Sequence, residues 1–216
     1  MGPVRGARKK MRFILGVDFD NTLVNYDGIF LKTARQWGLI SDEKASKKNI
    51  RNAIRQLPDG EKKWQKVQAH VYGRAMDEAL LIDGVGEFLS RCRSAGVPVY
   101  IVSHKTQFAG HGADKIDLRQ AALDWMTRKG FFDPAGLGFS KPQVFFESTR
   151  QDKIGRIKEL NCTHFIDDLE EIFLEKSFPA HTAKILYSSQ QVACPGDMTV
   201  MRDWKEIYDY FFDHGR

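Results

Sequence analysis

With 216 residues, 42% of them hydrophobic, the chain is long enough for one α/β domain carrying a modest insertion and short for two full domains. No apolar run approaches the length of a membrane-spanning helix, so no membrane partner is expected. The formal charge of +5 is carried entirely by Arg5, Arg8, Lys9, Lys10 and Arg12, which leaves a neutral body and argues against a nucleic-acid partner.

Residues 1–11 read as a disordered basic tail, without the apolar stretch of a secretory signal. Phe13 to Val17 is short, apolar and non-alternating, the pattern of a strand covered on both faces of a parallel sheet. It breaks into Asp18-Phe19-Asp20-Asn21-Thr22, so two carboxylates point the same way at the carboxyl end of a strand, where open α/β sheets bind ligands. Like charges this close ask for a cation or a proton between them. The bland reading of the same stretch is a turn with good capping residues.

Residues 27–82 read as helical, with no convincing strand. Ser41-Asp42-Glu43 supplies capping chemistry, Ile50, Ile54 and Leu57 share a face, and Pro58-Asp59-Gly60 turns the chain into a second amphipathic helix starting at Trp64, Val67 and Val71. Lys47, Arg51 and Arg55 recur at intervals of four. Such a row is ordinarily a solvated face; its functional reading is a lure for an anionic substrate.

A helix with Val85, Phe88, Leu89 and Cys92 on one face stops before Gly96 and leads to a second buried strand, Val97 to Val102, ending in Ser103-His104-Lys105-Thr106. His104 and Lys105 could donate to an anionic substrate, though with His111 they read more simply as loop residues. Asp117 opens a helix packed through Leu118, Ala122, Trp125 and Met126 and closed by Gly130; Val144 to Phe146 is a brief strand. Arg150-Gln151-Asp152-Lys153 leads into a helix with Ile154, Ile157 and Leu160 inward. Thr163 to Asp168 then repeats the opening pattern, an apolar run broken by the adjacent acids Asp167 and Asp168, costly together unless a cation takes up their charge. Glu170 and Glu171 suit a helix start, Lys184 to Tyr187 reads as a fifth strand, and Trp204, Ile207, Tyr208 and Phe211 mark a closing helix. Cys92, Cys162 and Cys194 are odd in number and form no Cys-x-x-Cys pair, which fits structural thiols in a reducing cytoplasm.

Asp18 to Val24 resembles the first motif of the haloacid dehalogenase superfamily, whose members are mostly Mg2+-dependent phosphatases, and the family's remaining motifs have counterparts downstream in order. The resemblance implies a Rossmann-like, doubly wound parallel α/β sheet, with residues 12–26 and 83–216 as core and residues 27–82 as a helical cap that closes over the site and chooses the substrate. It implies Asp18 as nucleophile and Asp20 as general acid and base. Ser103, His104 and Lys153 would bind phosphate, with Lys141, which precedes Pro142, as the competing lysine. Mg2+ would be held by Asp18, Asp20 through its backbone carbonyl, Asp167 and Asp168, and Glu171 is a weaker candidate. The implied protein is a cytoplasmic phosphatase, monomer or homodimer, acting on a small phosphorylated metabolite through an aspartyl-phosphate. Alternatives are a phosphotransferase or phosphomutase on the same site, or a non-catalytic phosphate-binding module.

Overall fold

Side-chain alternation along the apolar runs decides which layer each residue joins. In the computed structural model, which describes residues 13–109, 116–189 and 196–213, Ile101, Ile166 and Ile185 enter one hydrophobic cluster, while their neighbours Val102, Phe165 and Leu186 enter another. Both faces of the sheet are therefore covered, as the unbroken apolar runs require. The basic tail, His111 and Cys194 lie outside the described residues.

The chain begins with β1 (Leu15–Val17), β2 (Val24–Asn25), α1 (Asp27–Gln36), α2 (Lys47–Arg55), α3 (Gly60–Ala69) and β3 (Leu80–Leu81). It continues through α4 (Val85–Ala95), β4 (Val99–His104), α5 (Leu118–Arg128), β5 (Val144–Glu147) and α6 (Arg150–Glu159). It ends with β6 (His164–Asp167), α7 (Glu170–Phe173), β7 (Ala183–Tyr187), β8 (Met198–Met201) and α8 (Trp204–Phe212). Six strands form a parallel sheet in the order β5-β4-β1-β6-β7-β8. The strand order reverses at β1, which lies between β4 and β6, and such a switch point opens a crevice beyond the strand ends.

Gly16 is required where it stands. A Cβ there would collide with the Phe165 ring and crowd the Cys162 sulfur, so the close approach of β1 to β6 depends on the missing side chain.

Three expectations need correction. Residues 27–82 do contain a strand: β3 pairs antiparallel with β2, Val24 opposite Leu81 and Asn25 opposite Leu80, and this two-stranded base carries the helical segment. The helix start falls later than Ser41-Asp42-Glu43, because residues 41–46 are irregular and the Ser46 hydroxyl accepts from the Asn49 backbone N–H at 3.3 Å. The edge strand β8, four residues long and lacking a long apolar run, is an addition to the strands read from the sequence. Between α3 and β3 the helix widens into a π-helical turn, His70–Arg74. Turns of this kind recur at functional sites, and this one carries Tyr72.

Candidate active site

Register brings the acids together. Val17 pairs with Ile166, and the Asp18 N–H continues the ladder to the Ile166 carbonyl at 2.9 Å, so Asp18 leaves β1 alongside Asp167 at the end of β6. Ligand oxygens of Asp18, Asp167 and Asp168 all lie within 4.8 Å of one another. Lys153 enters from the first turns of α6, whose N-cap Thr149 accepts from the Asp152 N–H at 3.0 Å. Its ammonium donates to Asp18 Oδ1 and to Asp167 Oδ2, each at 2.6 Å, above the Phe165 ring. The lysine is 1% exposed. Lys141 belongs to an exposed 3-10 turn leading into β5.

The electrostatics follow from burial. Burial raises Asp167 to about 6, with the Asp18 charge adding to the effect and Lys153 opposing it. Asp168 is also pushed well above its ordinary range, by burial and then by the charges of Asp18 and Asp167. Burial pulls Lys153 down, but the charges of Asp167 and Asp18 outweigh it and hold the ammonium above its ordinary value. Three carboxylates facing one ammonium leave a negative excess, and all three offer oxygen donors to one point. Hard divalent cations take such donor sets, so the residues present fit one.

Asp20 faces elsewhere. Its carboxylate stands outside the three-acid cluster and accepts from Lys105 Nζ at 2.8 and 3.0 Å and from the Tyr26 hydroxyl at 2.5 Å. Lys105 is 4% exposed, and its backbone N–H donates to the Glu147 carbonyl while its own carbonyl accepts from Arg119. It is a buried ion-pair partner and not the ordinary loop residue the simpler reading suggests. Ser103 is buried at the end of β4, two residues beyond the Val17 and Ile101 pair. His104 alternates to an exposed position, and its Nε2 lies 3.1 Å from the Ser148 carbonyl oxygen. Glu171 is exposed on α7 and is not part of the cluster.

The helical segment reaches this site through residues that sequence reasoning left unassigned or passed over. Lys47 donates to the Tyr72 hydroxyl at 2.7 Å and to Asn21 Oδ1 at 3.3 Å, while Asn21 Nδ2 donates to Asp168 at 3.3 Å. Asn21 adopts φ 58°, a left-handed conformation that Asn tolerates and that aims its amide across the turn. Burial lowers the pKa of Lys47, with Asp20 and Asp168 opposing. Burial, then the Asp20 charge, raises both Tyr26 and Tyr72. The basic stripe pointed at Lys47; nothing in the sequence pointed at the two tyrosines.

No family model matches the sequence, and no curated protein matches it. Solved structures do. A HAD family hydrolase from Deinococcus radiodurans R1, with bound phosphate and sodium, superposes at a TM-score of 0.58 and 16% identity over 94% of this chain and 96% of that one. Protein Tyrosine Kinase A of Mycobacterium tuberculosis gives 0.61 at 14% identity over 93% and 98%. A predicted phosphoglycolate phosphatase from Haemophilus somnus 129PT gives 0.54 at 14% identity over 91% and 96%. This chain therefore has the fold of the haloacid dehalogenase superfamily structures, along nearly its whole length.

Proposed function

We propose that the protein is a divalent-metal-dependent phosphatase, Mg2+ being the expected ion, that hydrolyses a small phosphomonoester through an aspartyl-phosphate. The observation that carries this reading is the convergence of Asp18, Asp167 and Asp168 on one point, with Lys153 between two of them. The similarity in fold to hydrolases, one of them holding phosphate, supports it. Asp18, Asp168 and the backbone carbonyl of Asp20 would hold the cation, with Asp167 beside them. When bound, the ion offsets carboxylate charge against the incoming phosphate.

In the first step an oxygen of Asp18 bonds to phosphorus as the ester P–O bond breaks, and Asp20 gives its proton to the departing alcohol. In the second, water attacks phosphorus, Asp20 takes its proton, and the bond to Asp18 breaks to release inorganic phosphate. Lys153 holds Asp18 in place and would balance phosphoryl charge, and the Ser103 hydroxyl would donate to a phosphoryl oxygen. Transfer to another alcohol would use the same residues and differ only in the acceptor.

The test is phosphate release with Mg2+ across a panel of phosphorylated metabolites, beside the variant Asp18→Asn. A loss on the order of 10⁴-fold or more is expected. An unchanged rate in that variant would remove the nucleophile, and phosphate appearing on a second substrate instead of free in solution would replace hydrolysis with transfer.

A further inference from the structure

Among the described residues, two side chains donate to the Asp20 carboxylate, and they do not divide it evenly. Oδ1 accepts from the Tyr26 hydroxyl at 2.5 Å and from Lys105 Nζ at 3.0 Å, while Oδ2 accepts from Lys105 alone, at 2.8 Å. A carboxylate oxygen has room for about two such bonds. Oδ1 is therefore filled, and Oδ2 keeps an open lone pair on a side chain that is still 20% exposed.

An ammonium on a flexible stem fixes its partner only if the stem is itself fixed. Lys105 meets that condition. Its backbone N–H donates to the Glu147 carbonyl at 2.9 Å, its carbonyl accepts from Arg119 Nε at 2.8 Å, and Arg119 is tied in turn to the Ser148 hydroxyl through Nη2. The ammonium lies 5.0 Å from the centre of the Tyr72 ring and 5.7 Å from that of Phe19, so aromatic rings wall it on its way to Asp20. Charge balance alone would need no such anchoring. We propose that Lys105 is the positioning residue of the proton-transfer step. With Tyr26 it closes Oδ1 and aims the open lone pair of Oδ2 at the leaving oxygen. Oδ2 is then the atom that gives its proton as the ester P–O bond breaks and takes one from water in the second step. The proposal rests on the phosphatase reading above and adds to it which oxygen reacts and what aims it.

The test is a double-mutant cycle of Lys105→Met and Asp20→Asn, run with Mg2+ on phenyl phosphates graded from p-methoxy to p-nitro and on acetyl phosphate. In Lys105→Met, kcat for p-methoxyphenyl phosphate should fall about 10- to 100-fold with KM nearly unchanged, and for acetyl phosphate by less than about threefold. On the Asp20→Asn background the same substitution should cost less than about twofold, since the carboxylate it aims is gone. Should Lys105→Met not fold, Lys105→Gln, which keeps one donor for Asp20, takes its place in the cycle with a smaller loss and the same non-additivity. Equal losses on every substrate, or full additivity with Asp20→Asn, would reduce Lys105 to a structural ion pair and overturn the proposal. A rise in KM that acetyl phosphate shares would make Lys105 a phosphate contact and overturn it as well. These outcomes leave the phosphatase reading standing, whereas a parent protein that releases no phosphate from acetyl phosphate would remove both.

Discussion

Asp18 and Asp20 leave one strand end two residues apart, and each has a lysine of its own, yet their neighbourhoods differ in kind. Around Asp18 the acids outnumber the cation, with Asp167 and Asp168 sharing the site and Lys153 bridging two of the three. Around Asp20 one carboxylate is shared by an ammonium and a phenol, at the wall of a cavity. The first environment carries more negative than positive charge and its oxygen donors fit a cation. The second is charge-balanced and holds the residue proposed to exchange a proton with an alcohol. Spacing alone does not make this difference; the strands beside β1 and the helical segment above it do.

The largest expected effect comes from breaking the Asp18 side. Lys153→Met strands buried carboxylates without their ammonium, which should abolish phosphate release and lower stability by about 3–5 kcal/mol, seen as a reduced melting temperature. Added Mg2+ should restore part of the loss. An unaltered melting temperature would mean that this lysine does not stabilise the buried acids beside it.

Next in size is the Asp20 side. Asp20→Asn should lower kcat for alkyl phosphates by roughly 10²–10⁴-fold and for acetyl phosphate much less, because a stabilised leaving group needs little protonation. Asp18→Asn should fail on both. Equal losses for the two ester types in Asp20→Asn would assign Asp20 to positioning and not to proton transfer.

Metal uptake sharpens the same contrast through pH. Burial raises Asp167 to about 6, so the folded, metal-free chain holds this proton more tightly than the unfolded chain. Its contribution to metal-free stability therefore falls as pH rises from the ordinary carboxylate range through about 6, and cation binding strengthens over the same interval. The rise in melting temperature on adding Mg2+ should be larger at about pH 7.5 than at about pH 5. Equal rises at both would show that the ion does not draw on Asp167.

How much of this was legible follows from where each signal lies in the chain. Asp18, Ser103, Lys153 and Asp167 stand at the ends of short apolar runs or in a first helical turn; parallel register aligns the three strand ends, and the Lys153 ammonium bridges Asp18 and Asp167. Lys105 sits one residue past β4, where the sequence cannot say whether the chain turns in or out; two backbone bonds, to Glu147 and from Arg119, decide it. Tyr26 and Tyr72 carry no local mark. Their place depends on the β2 and β3 pair that returns the helical segment to the site, two residues on each strand, too short for a periodic pattern to appear.

Tyr26 gives the smallest and most discriminating test. Its side chain is fully buried, and burial together with the Asp20 charge keeps the phenol protonated well above its ordinary range, so it donates to Asp20 Oδ1 at any working pH. Tyr26→Phe removes that donor with little change in shape, while Lys105 still reaches both carboxylate oxygens. Loss of one of several hydrogen bonds should reduce kcat by about three- to tenfold with KM nearly unchanged. A fall as deep as that of Asp20→Asn would reverse the roles proposed for the pair: the phenol would then be the group facing the leaving oxygen and the carboxylate its support. Since Tyr26 also packs edge-on against Tyr72 from the helical segment, that outcome would carry the proton donor from the strand end to the interface with the segment above.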